Sequence, residues 1–317
     1  MKRKNTLAIV IPCYDEEEVL PETLKQLVKL YTQLIEDNSI SSESFICFVD
    51  DGSVDNTWQL IYTYHQKHSF IKGIKLSKNE GHQQALLAGM QYVSHQCDCM
   101  ISMDADLQQD PFAVYDMLAA YQEGNEVVLG IRENRESDTF FKRFSAEGYY
   151  KLMNMMGVEL AFNHADYRLL SKKALFFLLQ FKERNLFIRG MVKLLGLKST
   201  KIYFKTSERF AGESKYPLKK MLSFALAGIT SFSVFPLKLI TVSGVIIFLM
   251  SMIAGVDALY TVFFTDDAVP GWASTVLPMY FVGGIQLLSI GILGEYIGKV
   301  YTETKQRPLY FIEEEIV

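Results

Sequence analysis

The chain has 317 residues, enough for about two domains; 49% of them are hydrophobic, and the formal net charge is -4. That balance excludes a basic nucleic-acid-binding domain, and no motif of one is present. Its four cysteines, Cys13, Cys47, Cys97 and Cys99, form no paired C-x-x-C or His cluster, which argues against zinc and leaves reduced, buried thiols as the expectation.

In chain order, Leu7 to Ile11 is predicted as a first strand. Lys2, Arg3 and Lys4 precede it, but the apolar run is too short for a signal-peptide core and stops at Pro12. Glu16 to Glu36 has helical spacing of Val19, Leu20, Leu24, Leu27, Leu30 and Leu34. Ser44 to Val49 is a second strand, followed by a helix from about Asn56 to His68. Ile71 to Leu76 and Gly81 to Ser94 repeat the pair, as do Cys99 to Met103 and Pro111 to Glu123, with proline in the first turn of the last helix. Val127 to Gly130 is a fifth strand. Strands that alternate with helices imply a parallel sheet with right-handed crossovers, and such sheets bind ligands at the carboxyl ends of their strands.

Polar residues collect at those ends. Strand one runs into Pro12-Cys13-Tyr14-Asp15-Glu16-Glu17, strand two into Asp50-Asp51-Gly52-Ser53, strand three into Asn79-Glu80-Gly81, and strand four into Asp104-Ala105-Asp106. Each has a local use as a cap or turn. Four acidic ends in one crevice repel one another and call for a cation or donors. Alternation in an extended segment places Asp104 and Asp106 on one side, suited to a divalent cation held by oxygen ligands and shared with a nucleotide diphosphate. Asp110 is expected to start the following helix.

The C-terminal third is different. Leu239 to Val256 and Ala268 to Gly294 carry no charge, and each is long enough to cross a hydrocarbon core of about 30 Å. Eight Lys/Arg between Lys198 and Lys238, against Glu208 and Glu213, precede the first run; Lys299, Lys305 and Arg307 follow the second, and Asp266 and Asp267 lie between. The positive-inside rule then puts both termini in the cytoplasm. Tyr216, Leu218, Met221, Leu222, Phe224 and Leu226, set among the cations, suggest a helix lying on the membrane surface.

IPCYDEEE, VDDGSVDNT, NEGHQQALLAGM and MDADLQQDP, in this order, resemble the motifs of family 2 glycosyltransferases with a GT-A fold. GIREN, FNHADYRLLS, ERFAGESKYPLKK and the closing GEYIGKVYTETKQRP narrow the resemblance to the polyisoprenyl-phosphate glycosyltransferases, a group with dolichol-phosphate mannose synthases and bactoprenol glucosyltransferases among its members. The resemblance implies a Rossmann-like, mostly parallel α/β catalytic domain over 1–212, an amphipathic segment over 213–236, two transmembrane helices within 237–298 and a cytoplasmic tail over 299–317.

It also implies roles. Pro12, Tyr14 and Glu16 would border the uridine and ribose, and Asp51 the base. Asp104, Asp106 and Gln108 would hold Mg2+ or Mn2+ on the diphosphate, with Ala105 between them on the substrate side. Asp166 matches the acidic residue facing sugar and acceptor; Arg209 and Lys215 match cations closing over the diphosphate. Arg132, Lys142 and Arg143 match basic positions near the acceptor phosphate, where Ser145 or Ala146 stands against a hydroxyl residue in some relatives. Asp15 replaces a commoner Asn.

The expected reaction is inverting transfer of a hexose, glucose before N-acetylglucosamine or mannose, from a UDP-sugar to undecaprenyl phosphate at the cytoplasmic membrane face. A phosphate acceptor is already ionised, so Asp166 is expected to orient groups more than to abstract a proton; its bland alternative is a carboxylate paired with Arg168. A homo-oligomer, tetramer included, is compatible with two thin helices per chain. A processive synthase lacks support without Q-x-x-R-W, a nicotinamide oxidoreductase without G-x-G-x-x-G. A non-catalytic scaffold that binds nucleotide sugars is the remaining different class.

Overall fold

Every side chain of Leu7–Cys13 is buried, as in a strand covered on both faces. This strand, β1, lies central in the sheet of the computed structural model, which describes residues 4–133, 164–183, 188–205, 235–264 and 272–317. The chain then runs through α1 (Leu20–Glu36), β2 (Phe45–Asp50), α2 (Thr57–His65), β3 (Ile71–Leu76), α3 (His82–Val93), β4 (Cys99–Ser102), a 3-10 turn (Pro111–Ala113), α4 (Val114–Gln122) and β5 (Val127–Arg132). After these come β6 (His164–Ser171), α5 (Lys172–Leu178), α6 (Ile188–Leu194), β7 (Ser199–Phe204), α7 (Phe235–Phe264), α8 (Trp272–Thr304) and β8 (Ile312–Ile316).

The eight strands form one sheet in the order β7-β5-β6-β4-β1-β2-β3-β8. β1 pairs parallel with β2 and β4, β2 with β3, and β5 with β7. The expected parallel sheet is therefore mostly correct, with two reversals. β6 runs antiparallel between β4 and β5, and β8 runs antiparallel along β3.

Alternation along β1 separates two cores. Leu7, Ile9 and Ile11 pack with the leucines of α1, with Ile61 of α2 and with Val114, Met117 and Leu118 of α4. Ala8 and Val10 pack with α3, α5 and α6. The second face is the tighter one at α3, since a Cβ on Gly89 would lie 2.4 Å from a methyl of Val10. Burial of more than fifty apolar residues in these two layers drives the fold. The four cysteines are free and buried as expected, and burial pushes the thiols of Cys47 and Cys97 up to about 12.

Helix α1 begins at Leu20 and not at Glu16. Asp15 adopts a left-handed backbone (φ 52°) at the end of β1, so the three glutamates that follow form a turn. Pro21 then sits in the first helical turn, where no amide is needed.

Two compact units divide the chain: Met1–Tyr150, Glu159–Tyr216 and Arg307–Val317 in one, Lys151–Val158 and Pro217–Gln306 in the other. The stretch expected as a tail, 299–317, thus extends α8 to Thr304 and supplies β8 to the sheet. Lys75 of β3 pairs with Glu313 at 3.4 Å, and the Trp58 indole donates to Glu314 at 2.9 Å. In the second unit, one stretch among the described residues, Phe281–Thr304, is long and apolar enough to cross a membrane by length and composition; Pro236–Ile247 is a shorter apolar stretch.

Candidate active site

The carboxyl ends of β1, β2, β3, β4 and β5 share one edge of the sheet with the start of β6, because β6 is reversed. That reversal brings Asp166 to Asp104, although 62 positions separate them in the chain. The Ser102 hydroxyl donates to the Asp166 carbonyl at 2.7 Å and fixes the start of β6 against the end of β4.

Asp104 and Asp106 do not owe their placement to strand alternation. β4 ends at Ser102, and both residues stand in a turn with Leu107 in the left-handed region (φ 57°). Asp106 Oδ1 accepts the Gln108 amide at 3.1 Å. Ala105, expected on the substrate side, has its side chain buried, and its carbonyl accepts from the Thr23 hydroxyl of α1 at 2.7 Å. Asp110 starts the next turn as expected, accepting the Phe112 amide at 2.9 Å.

Gln109, not singled out in the sequence, locks Asp104 in place. It is 1% exposed, accepts the Asp104 amide at 3.1 Å and donates its own amide to Asp104 Oδ2. Asp104 Oδ1 faces His82 Nε2 at 4.0 Å. Burial, with Asp166 and Asp106 adding to it, raises the Asp104 carboxyl above its ordinary range against the opposing pull of His82 and Arg132.

Asp166 is surrounded by donors. Arg189 donates from Nε to Oδ1 at 3.1 Å and from Nη2 to Oδ2 at 2.8 Å, and Arg168 Nη2 donates to Oδ1. His82 Nε2 lies 3.6 Å from Oδ2. Burial pushes this carboxyl upward, yet Arg168, His82 and Arg189 together hold it well below its ordinary value. It is an anion by construction and a poor proton acceptor. The pairing with Arg168 is real, and Arg189 of α6 and His82 of α3 extend it.

On the β2 side, Asp51 is buried and its two oxygens accept the amides of Glu80 and Gly81 at 2.8 and 2.9 Å, tying the β2 end to the loop before α3. Gly52 permits that approach: its φ is +70°, and a Cβ there would lie 2.5 Å from the Lys78 carbonyl carbon. Asp15 Oδ1 accepts the Val54 amide at 3.0 Å, which ties two loops together and is not the expected helix cap, since Val19 stands at the N-cap of α1. Glu16 donates its amide to Thr57 Oγ1 at 2.9 Å, Pro12 is buried in β1, and Tyr14 is half-exposed at the strand end. Arg132 closes β5, and its Nε is buried with no hydrogen-bond partner among the described residues. Lys142, Arg143, Ser145, Arg209 and Lys215 lie outside the described residues.

Asp50 supplies a pH test. Its Oδ1 accepts the Ser53 amide at 3.1 Å, while Oδ2 is buried with no partner among the described residues. Burial, partly opposed by Ser53, raises its pKa. The folded chain therefore keeps this proton to higher pH than the unfolded chain, where Asp titrates near about 3.9. Stability falls as pH rises from about 4 through the folded value. Asp50→Asn cannot titrate, so its stability relative to wild type should improve across that window, by about 1 kcal/mol at the plateau. Thermal unfolding from about pH 4 to 8 checks this, and a pH-independent difference between the two proteins would refute it.

The donor set also tests for a metal. Asp104, Asp106 and Gln108 offer oxygen ligands only, which suits Mg2+ or Mn2+. Among the described residues no group of three His, Cys, Asp or Glu could enclose an ion. An ion bound by one or two carboxylates and completed by substrate phosphates and water fits that geometry. Burial is the chief cause that raises the Asp104 carboxyl, and a cation bound there would act in the opposite direction.

A chain 48% identical over 307 residues, the uncharacterized glycosyltransferase YkoT of Bacillus subtilis, covers 97% of this protein and 91% of its own length. The bactoprenol glucosyl transferase of Shigella phage SfV is 33% identical over 313 residues, covering 98% of each chain. Mannosyl-3-phosphoglycerate synthase from Rubrobacter xylanophilus shares the fold at a TM-score of 0.50 and 12% identity, over 85% of this chain and 79% of its own. The profile described as Glycosyl transferase family 2 matches residues 8–176, the span that contains the Asp104 turn and Asp166. The protein is a glycosyltransferase, and the chain belongs to glycosyl transferase family 2.

Proposed function

We propose that this enzyme transfers a hexose, glucose, with inversion from UDP-glucose to undecaprenyl phosphate on the cytoplasmic face of a bacterial plasma membrane. The observation that carries this reading is the near full-length similarity to a bactoprenol glucosyl transferase, which includes the C-terminal helical unit and not only the catalytic fold. The product is a lipid-linked sugar for a later step of envelope glycan modification.

Asp104, Asp106 and Gln108 would hold Mg2+ or Mn2+, and the ion supplies charge neutralisation to the departing nucleoside diphosphate. The chain's own residues do the rest. Tyr14, Glu16 and Asp51 border the nucleoside, and Arg209 and Lys215 close over the diphosphate as charge develops. Arg132, Lys142, Arg143 and Ser145 receive the acceptor phosphate; Arg132 Nε, buried and without a partner among the described residues, supports that role, because a buried guanidinium N–H without an acceptor favours an anion. Asp166, fixed as an anion, orients a hydroxyl of the sugar and leaves the acceptor phosphate, already ionised near neutral pH, to attack. α7 and α8 span the membrane as two helices with both termini cytoplasmic, membrane lipids surround them, and helix packing between copies permits a homo-oligomer such as a tetramer.

The test is a screen of UDP-glucose, UDP-N-acetylglucosamine, UDP-galactose and GDP-mannose with undecaprenyl phosphate and Mg2+, using full-length enzyme in detergent. Transfer is expected from UDP-glucose, with water-soluble alcohols failing as acceptors. Preferential transfer to a free sugar would rule out the lipid acceptor; donor binding without any turnover would leave a scaffold.

A further inference from the structure

The GHQQ stretch at the head of α3 has a place in the site that its motif does not announce. Gly81 (φ +97°) caps the helix, and the next two side chains each leave the first turn for a different element. His82 Nε2 stands 3.6 Å from Asp166 Oδ2 and 4.0 Å from Asp104 Oδ1. Gln83 Oε1 accepts the amide of Ile188, the first residue of α6, at 3.2 Å. The neighbouring residue of α6, Arg189, grips Asp166 through two nitrogens. One helical turn thus joins the β4 turn, the start of β6 and the start of α6.

Asp166 is buried, Asp104 is partly buried, and the two carboxylates repel each other where no donor stands between them. Asp104 is clamped on its other oxygen by Gln109, and Asp166 on its other side by Arg168 and Arg189. The imidazole lies within 4.0 Å of both carboxylates, and the buried Arg168 guanidinium adds a charge that both of them feel. We propose that His82 is a positioning residue that sets the separation and rotation of the donor-side carboxylate Asp104 against the acceptor-side carboxylate Asp166, with Arg189 as its counterpart from α6. The inference rests on the glycosyl-transfer reading of the site. Its physical content is that small displacements of groups around a reacting centre lower the turnover rate more than they lower ground-state binding.

The experiment uses the full-length enzyme in detergent with UDP-glucose and undecaprenyl phosphate. His82→Ala should lower kcat by about 30-fold, the range for removing a group that orients a ligand-bearing side chain. KM for UDP-glucose should stay within about threefold, as for a contact that acts on the transition state alone. UDP binding by calorimetry should be unchanged and Tm should shift by less than about 2 °C. His82→Gln, whose amide nitrogen reaches about as far as Nε2, should recover at least about tenfold of that loss. Arg189→Lys should not recover what Arg189→Ala loses, because one ammonium cannot make the two-nitrogen grip. Activity of His82→Ala within about threefold of wild type overturns the proposal, as does a loss that tracks falling Tm and UDP affinity with no rescue by glutamine. If wild-type enzyme glucosylates no polyprenyl phosphate, it is the glycosyl-transfer reading that fails; hydrolysis of UDP-glucose then becomes the readout, on which the same ordering of the His82 variants must hold.

Discussion

Replacing Asp106 with asparagine is expected to abolish sugar transfer at every concentration of Mg2+ or Mn2+, a fall in kcat of at least about 100-fold, the scale for losing one preorganised electrostatic contact to developing charge. The substitution keeps the shape of the Asp104–Asp106 turn, since an asparagine oxygen can still accept the Gln108 amide that Asp106 accepts at 3.1 Å. What it removes is one of two negative charges beside a carboxyl that burial already disfavours as an anion. Tm should therefore stay close to wild type while turnover disappears, and adding more metal should not restore it. Initial rates over a metal titration, with unfolding measured in parallel, decide the matter. Near-normal turnover at high Mn2+ would remove the argument for an ion at this turn.

The largest expected effect on stability belongs to Arg168. Its side chain is completely buried, it donates to Asp166, and its Nε and Nη1 have no partner among the described residues. Arg168→Met removes one charge of a buried cluster and leaves Asp166 with the half-exposed Arg189 and with His82. Breaking such a pair from one side costs about 3 kcal/mol or more. That corresponds to a drop in Tm of about 6–12 °C in a unit of this size. Adding Asp166→Asn to Arg168→Met takes away the uncompensated anion and should regain part of the stability without regaining transfer. Thermal unfolding of the single and double variants measures the coupling. A double variant no more stable than Arg168→Met would show that the loss comes from packing and not from the stranded carboxylate.

How far the sequence led differs between the two halves of the sheet. The first five strands and four helices were legible because each apolar run is bounded by turn residues and alternates with helical spacing; β2 and β3 fall within one or two residues of expectation. β6 was not legible as a strand, because Asp166 and Arg168 interrupt its apolar pattern at the two positions where they answer each other's charge. β8 was hidden for the opposite reason: Ile312–Ile316 holds three consecutive glutamates and reads as a solvated tail until Lys75 and Trp58 supply partners. At the site, the Asp104–Asp106 pair stood out by composition, whereas Gln109 did not, since nothing in a Gln-Gln pair tells which one turns inward. His82 and Arg189 act through contacts 84 and 23 positions away along the chain, distances at which periodicity is silent.

The pairing of β8 with β3 has a consequence for how the chain threads through space. β1 to β7 and β8 belong to one folded unit, and a hydrogen-bonded sheet cannot be assembled from strands on opposite sides of a bilayer. Whatever number of times the intervening segment pierces a membrane, that number is even. Among the described residues, α7 and α8 are the long helices between β7 and β8, and within them Phe281–Thr304 alone is long and apolar enough to cross a membrane by length and composition. The last strand acts as a parity check on the topology: a chain threaded with an odd count would leave β3 without its neighbour.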